Sequence, residues 1–192
     1  MSFPTLQTER LLLRELGPAD APALFEIHGN AQAMRWFGSD PLRSLAEAEQ
    51  LVEVFAAWRR LPNPGTRWGL ERRADGALLG SCGLFQWNRA WRRCTLGYEL
   101  APAAQGQGLM AEALHAVLAW GFDPDAGMGL NRVEAMIHPH NKPSLRLVER
   151  LGFRREGLLR EVAFWGGRHE DLEMHALLTR DHAAAASSRQ QP

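Results

Sequence analysis

The sequence predicts an α+β fold, a mixed, mostly antiparallel sheet of about seven strands flanked by helices. Three observations predict it. Between residues 66 and 100 three strand-like runs follow one another with only short turns between them, the pattern of an antiparallel meander. From 96 to 151 the pattern becomes strand, helix, strand, helix. Two further runs, 153–164 and 170–178, then close the chain as a hairpin, and no internal repeat interrupts the order.

Each element has a local reason. Residues 6–16, rich in leucine and stopped by Gly17-Pro18, read as a first strand. Asp20 stands where an N-cap is needed for a short helix over 21–30 carrying Leu24, Phe25 and Ile27. Residues 30–41 read as irregular. Ser44 caps a second helix, with Glu47 at the spacing of a capping box, and Leu51, Val54, Phe55 and Trp58 as its apolar face. The run Leu61-Pro62-Asn63-Pro64-Gly65 stops it. Residues 66–72 and 77–87 are strands around the tight turn Ala74-Asp75-Gly76, and 93–100 returns beside them. Residues 109–122 form an amphipathic helix with Met110, Ala113, Leu114, Val117 and Gly121 on one face and Glu112 and His115 on the other. A strand over 132–137 and a turn over 139–141 lead to a helix over 144–151, which buries Leu145, Val148 and Leu151 and turns Arg146, Glu149 and Arg150 outward. Gly152 ends it. Residues 1–181 read as one domain and 182–192, small and polar, as a disordered tail.

Composition narrows the function. With 22 basic and 22 acidic residues among 192, the chain has no net charge with which to hold nucleic acid or an anionic membrane. No apolar run approaches membrane-spanning length, which predicts a cytoplasmic protein. The two cysteines, Cys82 and Cys94, read as reduced and buried rather than as a disulfide or a zinc site. No metal site is expected.

The stretch that carries chemistry is Gln105-Gly106-Gln107-Gly108-Leu109-Met110. It follows the strand Leu96-Gly97-Tyr98-Glu99-Leu100, which Pro102 breaks, and it opens the helix over 109–122. A glycine-rich turn at a helix start gathers free backbone N–H groups at the positive end of the helix dipole, a place suited to phosphate. The plainer reading is a glycine-rich turn that binds nothing. Gly106-x-Gly108-x-x-Ala111 also fits the loose dinucleotide fingerprint, but that motif belongs at the first strand end of a doubly wound parallel sheet, whereas a meander precedes this one.

Gln105-x-x-Gly108-x-Met110 resembles the Q/R-x-x-G-x-G/A signature of the GNAT acetyltransferase superfamily, with Met110 in place of the usual small residue. Thr8-Glu9-Arg10-Leu11-Leu12-Leu13-Arg14 is similar to the opening of the branch that includes the Rim-type ribosomal-protein N-terminal acetyltransferases. Further segments match that branch in order: 96–100, Asn131 to Ala135, Asn141-x-x-Ser144 with Leu151-Gly152-Phe153, and Gly167 with Asp171. Together they span most of the chain from residue 6 to residue 180.

The resemblance implies a sheet whose two central strands splay apart, at a bulge in most relatives. Acetyl-CoA would lie in the gap, its pantetheine arm paired with Tyr98 to Leu100 and its pyrophosphate on the amides of Gln105, Gly106, Gln107, Gly108, Leu109 and Met110. Asn141 and Ser144 would face the thiol, and Ser144 could donate a hydrogen bond to the sulfur. The reaction implied is attack of an amine on the acetyl thioester, with Glu99 as the candidate base and His138 and His140 as a secondary proton relay. Many superfamily members carry a tyrosine acid at the position of Val148. The acceptor, a protein N-terminal α-amine or a small-molecule amine, would lie against Trp36, Trp87 and Trp165, and Glu170 and Asp171 could attract its charge. A homodimer is expected by the same resemblance. The competing hypothesis is a non-catalytic acyl-CoA-binding module on the same fold.

Overall fold

The leucine-rich run near the N-terminus is two strands, not one. In a computed structural model that describes residues 3–183, β1 (Leu6–Gln7) and β2 (Leu11–Glu15) pair antiparallel, Leu6 opposite Leu13. Thr8 closes the turn between them, its hydroxyl accepting from Leu11 N at 3.1 Å. Among the described residues the sheet therefore has eight strands, where about seven were expected, in the order β1-β2-β3-β4-β5-β6-β8-β7. The remaining strands are β3 (Thr66–Arg72), β4 (Leu78–Asn88), β5 (Arg93–Leu100), β6 (Arg132–Ile137), β7 (Arg154–Trp165) and β8 (Arg168–Leu178). The helices are α1 (Ala21–His28), α2 (Ala31–Met34), α3 (Leu45–Ala57), α4 (Leu109–Phe122) and α5 (Lys142–Arg150).

Three local expectations need correction. Asp20 stands at the N-cap of α1, as expected, but its side chain caps no α1 amide; its carboxylate accepts from Gly17 N and from the Arg14 guanidinium, each at 2.8 Å. The region 30–41, read as irregular, contains α2, capped by the Asn30 side chain. The capping box of α3 is displaced: Ser44 accepts from Glu47 N, but Glu47 reaches Arg43 N at 2.7 Å. The buried face of α3 is accordingly Ala48, Val52 and Phe55, and Val54 is 47% exposed.

The two faces of the sheet carry separate cores. α4 packs Ala113, Leu114 and Val117 with Leu11, Trp68, Leu84 and Val133 on one face. α1 and α3 cover the other with Leu24, Ala48 and Phe55. β3, β4 and β5 form the expected meander, whereas β6 joins β5 parallel because α4 carries the chain back across the sheet. This parallel ladder is short. It runs from Arg93 opposite Arg132 to Thr95 opposite Glu134, and Leu96 to Leu100 have no partner strand on that side. The register irregularity near it lies on the other edge of β5, against β4, where Gln86 has φ 56°. The expected bulge is thus not at the splay itself.

Residues 179–183 continue as a short helical turn, and His182 stacks on Phe122 with ring centroids 4.8 Å apart. The rest of the expected tail lies outside the described residues.

Candidate active site at the parting of β5 and β6

Where β5 leaves β6, a cleft of about 390 Å³ opens between the free edge of β5, the loop before α4, and α5. Its walls include Tyr98, Glu99 and Leu100, the loop residues Gln105, Gly106 and Gly108, the first turn of α4 with Leu109 and Met110, and Asn141 and Ser144. Of the ten cofactor residues expected from the sequence, all but Gln107 line it. Gln107 turns away, its side-chain amide donating to Ala103 O at 2.8 Å.

The loop is shaped by two glycines in the left-handed region, Gly106 and Gly108, both at φ 76°. Gly108 is also the N-cap of α4, and having no side chain it caps none of the first-turn amides. Those amides and the helix dipole face the cleft. Met110, unusual at a position expected to be small, is 6% exposed and belongs to the main core. Packing in that core accommodates the larger side chain. Gln105 ties the loop to the strand before it, its side chain donating to Leu100 O at 3.1 Å.

Arg10 braces the loop from outside. Its Nη1 donates to Gln107 O at 3.0 Å and its Nε to Glu112 on α4 at 2.6 Å. Glu112 also accepts from Thr8 Oγ1 and from Arg10 N. Burial pushes the Glu112 carboxyl up, but these hydrogen bonds outweigh it and hold the group below the usual range. Across the cleft, Arg146 and Arg150 of α5 line the wall without an ion-pair partner among the described residues. Sequence reading turned both outward. Their four-residue spacing was visible, but only the packing of α5 shows that this face looks onto the phosphate-type loop.

Glu99 is buried. Strand alternation sets its side chain on the opposite face of β5 from Tyr98, where it is 5% exposed. It accepts hydrogen bonds from Arg67 and Ser81, and His28 Nε2 stands 3.2 Å away. Burial alone would raise its pKa; the Arg67 charge, with His28 and Ser81, keeps it below the usual carboxylate range. A carboxylate held in this way takes up a proton less readily than a free one.

A second, smaller cavity of about 110 Å³ meets the cleft at the splay. Tyr98, Asn141 and Ser144 line both. Asn141 caps α5 by accepting from Ser144 N at 3.3 Å, which holds the Ser144 side chain at the junction. Trp36 and Phe37 form the far wall, and beyond Trp36 lies an outer cavity of about 290 Å³ with Asp40, Trp165, Arg168 and Glu170. Trp36 stacks on His138 at 4.1 Å, and Trp165 donates its indole N–H to Arg35 O. These two of the three expected acceptor tryptophans are therefore neighbours. Trp87 is not with them: it packs against the main core under Arg89, with its indole N–H buried and unpartnered.

His138 also differs from a free relay. Its Nδ1 accepts from His140 N at 3.1 Å, so Nε2 carries the proton and points at Glu170, 3.2 Å away. Glu170 is further engaged by Arg168, and Asp171 accepts from Glu161 N at a bulge of β7. Cys82 and Cys94 are free and buried, as expected; burial pushes the Cys82 thiol up to about 12. Among the described residues no cluster of three or more His, Cys, Asp or Glu could hold a metal, and no helix is long and apolar enough to cross a membrane.

An open strand edge able to pair with an amide chain, ending at uncapped helix amides able to hold a pyrophosphate, defines an acyl-coenzyme A transferase architecture. The sequence model of the acetyltransferase (GNAT) domain matches residues 10–154. The N-acetyltransferase YoaA of Bacillus subtilis is 32% identical over 176 residues, covering 92% of this chain and 97% of that one. The ribosomal protein uS5-alanine N-acetyltransferase of Escherichia coli is 36% identical over 92 residues, 48% of this chain and 46% of its own. The crystal structure of spermidine N-acetyltransferase from Vibrio cholerae, in complex with CoA and spermine, superposes with a TM-score of 0.77 at 24% identity, covering 91% of this chain and 98% of that one. The chain belongs to the GNAT acetyltransferase family and is an acetyl-CoA-dependent N-acetyltransferase.

Proposed function

We propose that the acceptor is a protein or peptide N-terminal α-amine, acetylated by direct attack on acetyl-CoA bound along β5. The observation that carries this reading is the engagement of both candidate bases. Glu99 is held by Arg67, Ser81 and His28, and both ring nitrogens of His138 are occupied. An enzyme without a ready base favours an amine that is already partly neutral. An α-amine, with pKa near ~7.8, has a neutral fraction at neutral pH roughly a few hundredfold above that of an alkyl amine near ~10.4. The outer cavity supports the same acceptor. Its carboxylates are already partnered, Asp40 by Gly166 N and Glu170 by Arg168 and His138, so they suit a polycation poorly.

In this reading the amides of Gly106 to Met110 and the guanidiniums of Arg146 and Arg150 hold the cofactor's phosphates, and the β5 edge from Tyr98 to Leu100 pairs with the pantetheine arm. Asn141 and Ser144 stand beside the thioester. Trp36 and Trp165 flank the acceptor's path. Catalysis is then mainly positioning and desolvation of two reactants at the splay.

The test is thiol release from acetyl-CoA at pH 7.5 with short peptides bearing free N-termini, compared with spermidine and lysine-type amines. Peptides should exceed the alkyl amines in kcat/KM by at least tenfold. Equal rates, or a preference for spermidine, would remove the α-amine reading.

A further inference from the structure

Tyr98, the chain's only tyrosine, stands at the one place where the cofactor cleft and the acceptor-side cavity meet. Its ring packs against the main core. Its hydroxyl oxygen is buried and has no hydrogen bond of normal geometry among the described residues; Ser144 is the polar side chain that faces it. A buried hydroxyl without a partner lowers stability, and a phenylalanine would fill the same ring space without that cost. The neighbouring polar groups are spoken for. The Asn141 side chain caps α5, and Glu99 points to the other face of the strand into its own ion pair. The side-chain donors that remain at the junction are the phenol and the Ser144 hydroxyl that faces it.

We propose that the Tyr98 hydroxyl donates a hydrogen bond to the acetyl thioester as negative charge develops on it, with Ser144 as the residue that aims the phenol. The inference rests on the reading of the cleft as the acetyl-CoA site. As the neutral amine adds, the C–N bond forms and the carbonyl oxygen takes the electron pair. On collapse the C–S bond breaks, the pair goes to sulfur, and the proton leaving the ammonium nitrogen passes to the thiolate or to solvent. Tyr98 keeps its own proton throughout. Burial pushes the phenol up to about 12, so it is a donor across the whole neutral range. A donor placed where charge appears in the transition state raises kcat and leaves ground-state binding almost unchanged.

The test is Tyr98→Phe, which keeps the ring and removes only the hydroxyl. We expect kcat to fall ten- to a hundredfold, KM for acetyl-CoA to stay within about twofold, and Tm to be unchanged or raised. CoA affinity of wild type and variant, measured by calorimetry in the same series, separates this inference from the cleft assignment: absent binding by wild type would defeat the assignment itself. A kcat within twofold of wild type, or a fall in kcat accompanied by lost affinity and a lowered Tm, overturns the role given to Tyr98. Ser144→Ala provides a second measure, with a smaller fall in kcat expected and none in Tyr98→Phe, since the serine acts through the phenol. A full additive loss in the double variant would contradict that order.

Discussion

Arg10 Nε stands 2.6 Å from Glu112 Oε2, joining residues 102 positions apart and fastening the β1–β2 turn to the first turn of α4. The same guanidinium holds Gln107 O. Between its two contacts lies Gly108, with Arg10 Nη2 3.7 Å from where a Cβ would be. The N-terminal hairpin thus sets the conformation of a loop that local sequence could describe only as glycine-rich.

Arg10→Ala should therefore loosen the loop more than the fold. The pair is partly exposed, so its loss changes stability by at most about 1 kcal/mol. KM for acetyl-CoA should rise about tenfold, while S-acetyl-pantetheine, which lacks the pyrophosphate, should be used as well as before. Equal losses for both donors would show that Arg10 does not act through the phosphate loop.

Arg146 and Arg150 face the loop across the cleft, and neither is neutralised by a carboxylate among the described residues. Reversing both, Arg146→Glu with Arg150→Glu, should weaken acetyl-CoA binding by tenfold or more at low salt. The salt dependence of KM should flatten at the same time, because an attraction between these charges and the phosphates is screened by ions. A salt slope as steep as that of wild type would rule out the pair as phosphate ligands.

Glu99→Gln tests clamp against base. Replacing the carboxylate leaves the buried Arg67 guanidinium without its counter-charge, and a loss of about 3–5 kcal/mol in unfolding free energy is expected. The pH–rate curve of the surviving enzyme should keep its shape near neutrality; a flattened basic-catalysis limb would restore Glu99 as base. In wild type the folded carboxyl lies below its unfolded value, so its stabilisation is fully present above the unfolded pKa of 4.5. It is lost as pH falls through the lower folded value. Urea unfolding between pH 6 and pH 3 should show wild type weakening with acid and Glu99→Gln weakening much less.

Much of the fold was readable because it depends on near neighbours. The meander follows from short turns between alternating runs, and α4 from an apolar stripe at helical spacing after a glycine-rich turn. The phosphate-type loop was readable for the same reason, since its amides are backbone groups positioned by two left-handed glycines and a helix start. The tryptophans illustrate the limit. Trp36, Trp87 and Trp165 are one residue type on flanking segments, yet Trp36 and Trp165 converge on His138 and Trp87 joins the core, a difference set by which strand faces which layer. Glu99 shows it more sharply. Its partners Ser81, Arg67 and His28 lie 18, 32 and 71 residues away, and alternation along β5 alone does not tell what waits on either face.

By itself, the sequence determined the element order, the loop before α4, and the resemblance that led to an acetyltransferase, because each is written in local spacing and backbone chemistry. The tertiary structure decided the surroundings of the side chains near the splay. It buried Glu99 against a cation, set the tautomer of His138, turned Arg146 and Arg150 onto the cleft, and placed the Tyr98 hydroxyl beside Ser144 at the junction. Those outcomes depend on desolvation and on partners brought together across the sheet, and a charge or hydroxyl acquires its chemistry only when its surroundings are fixed.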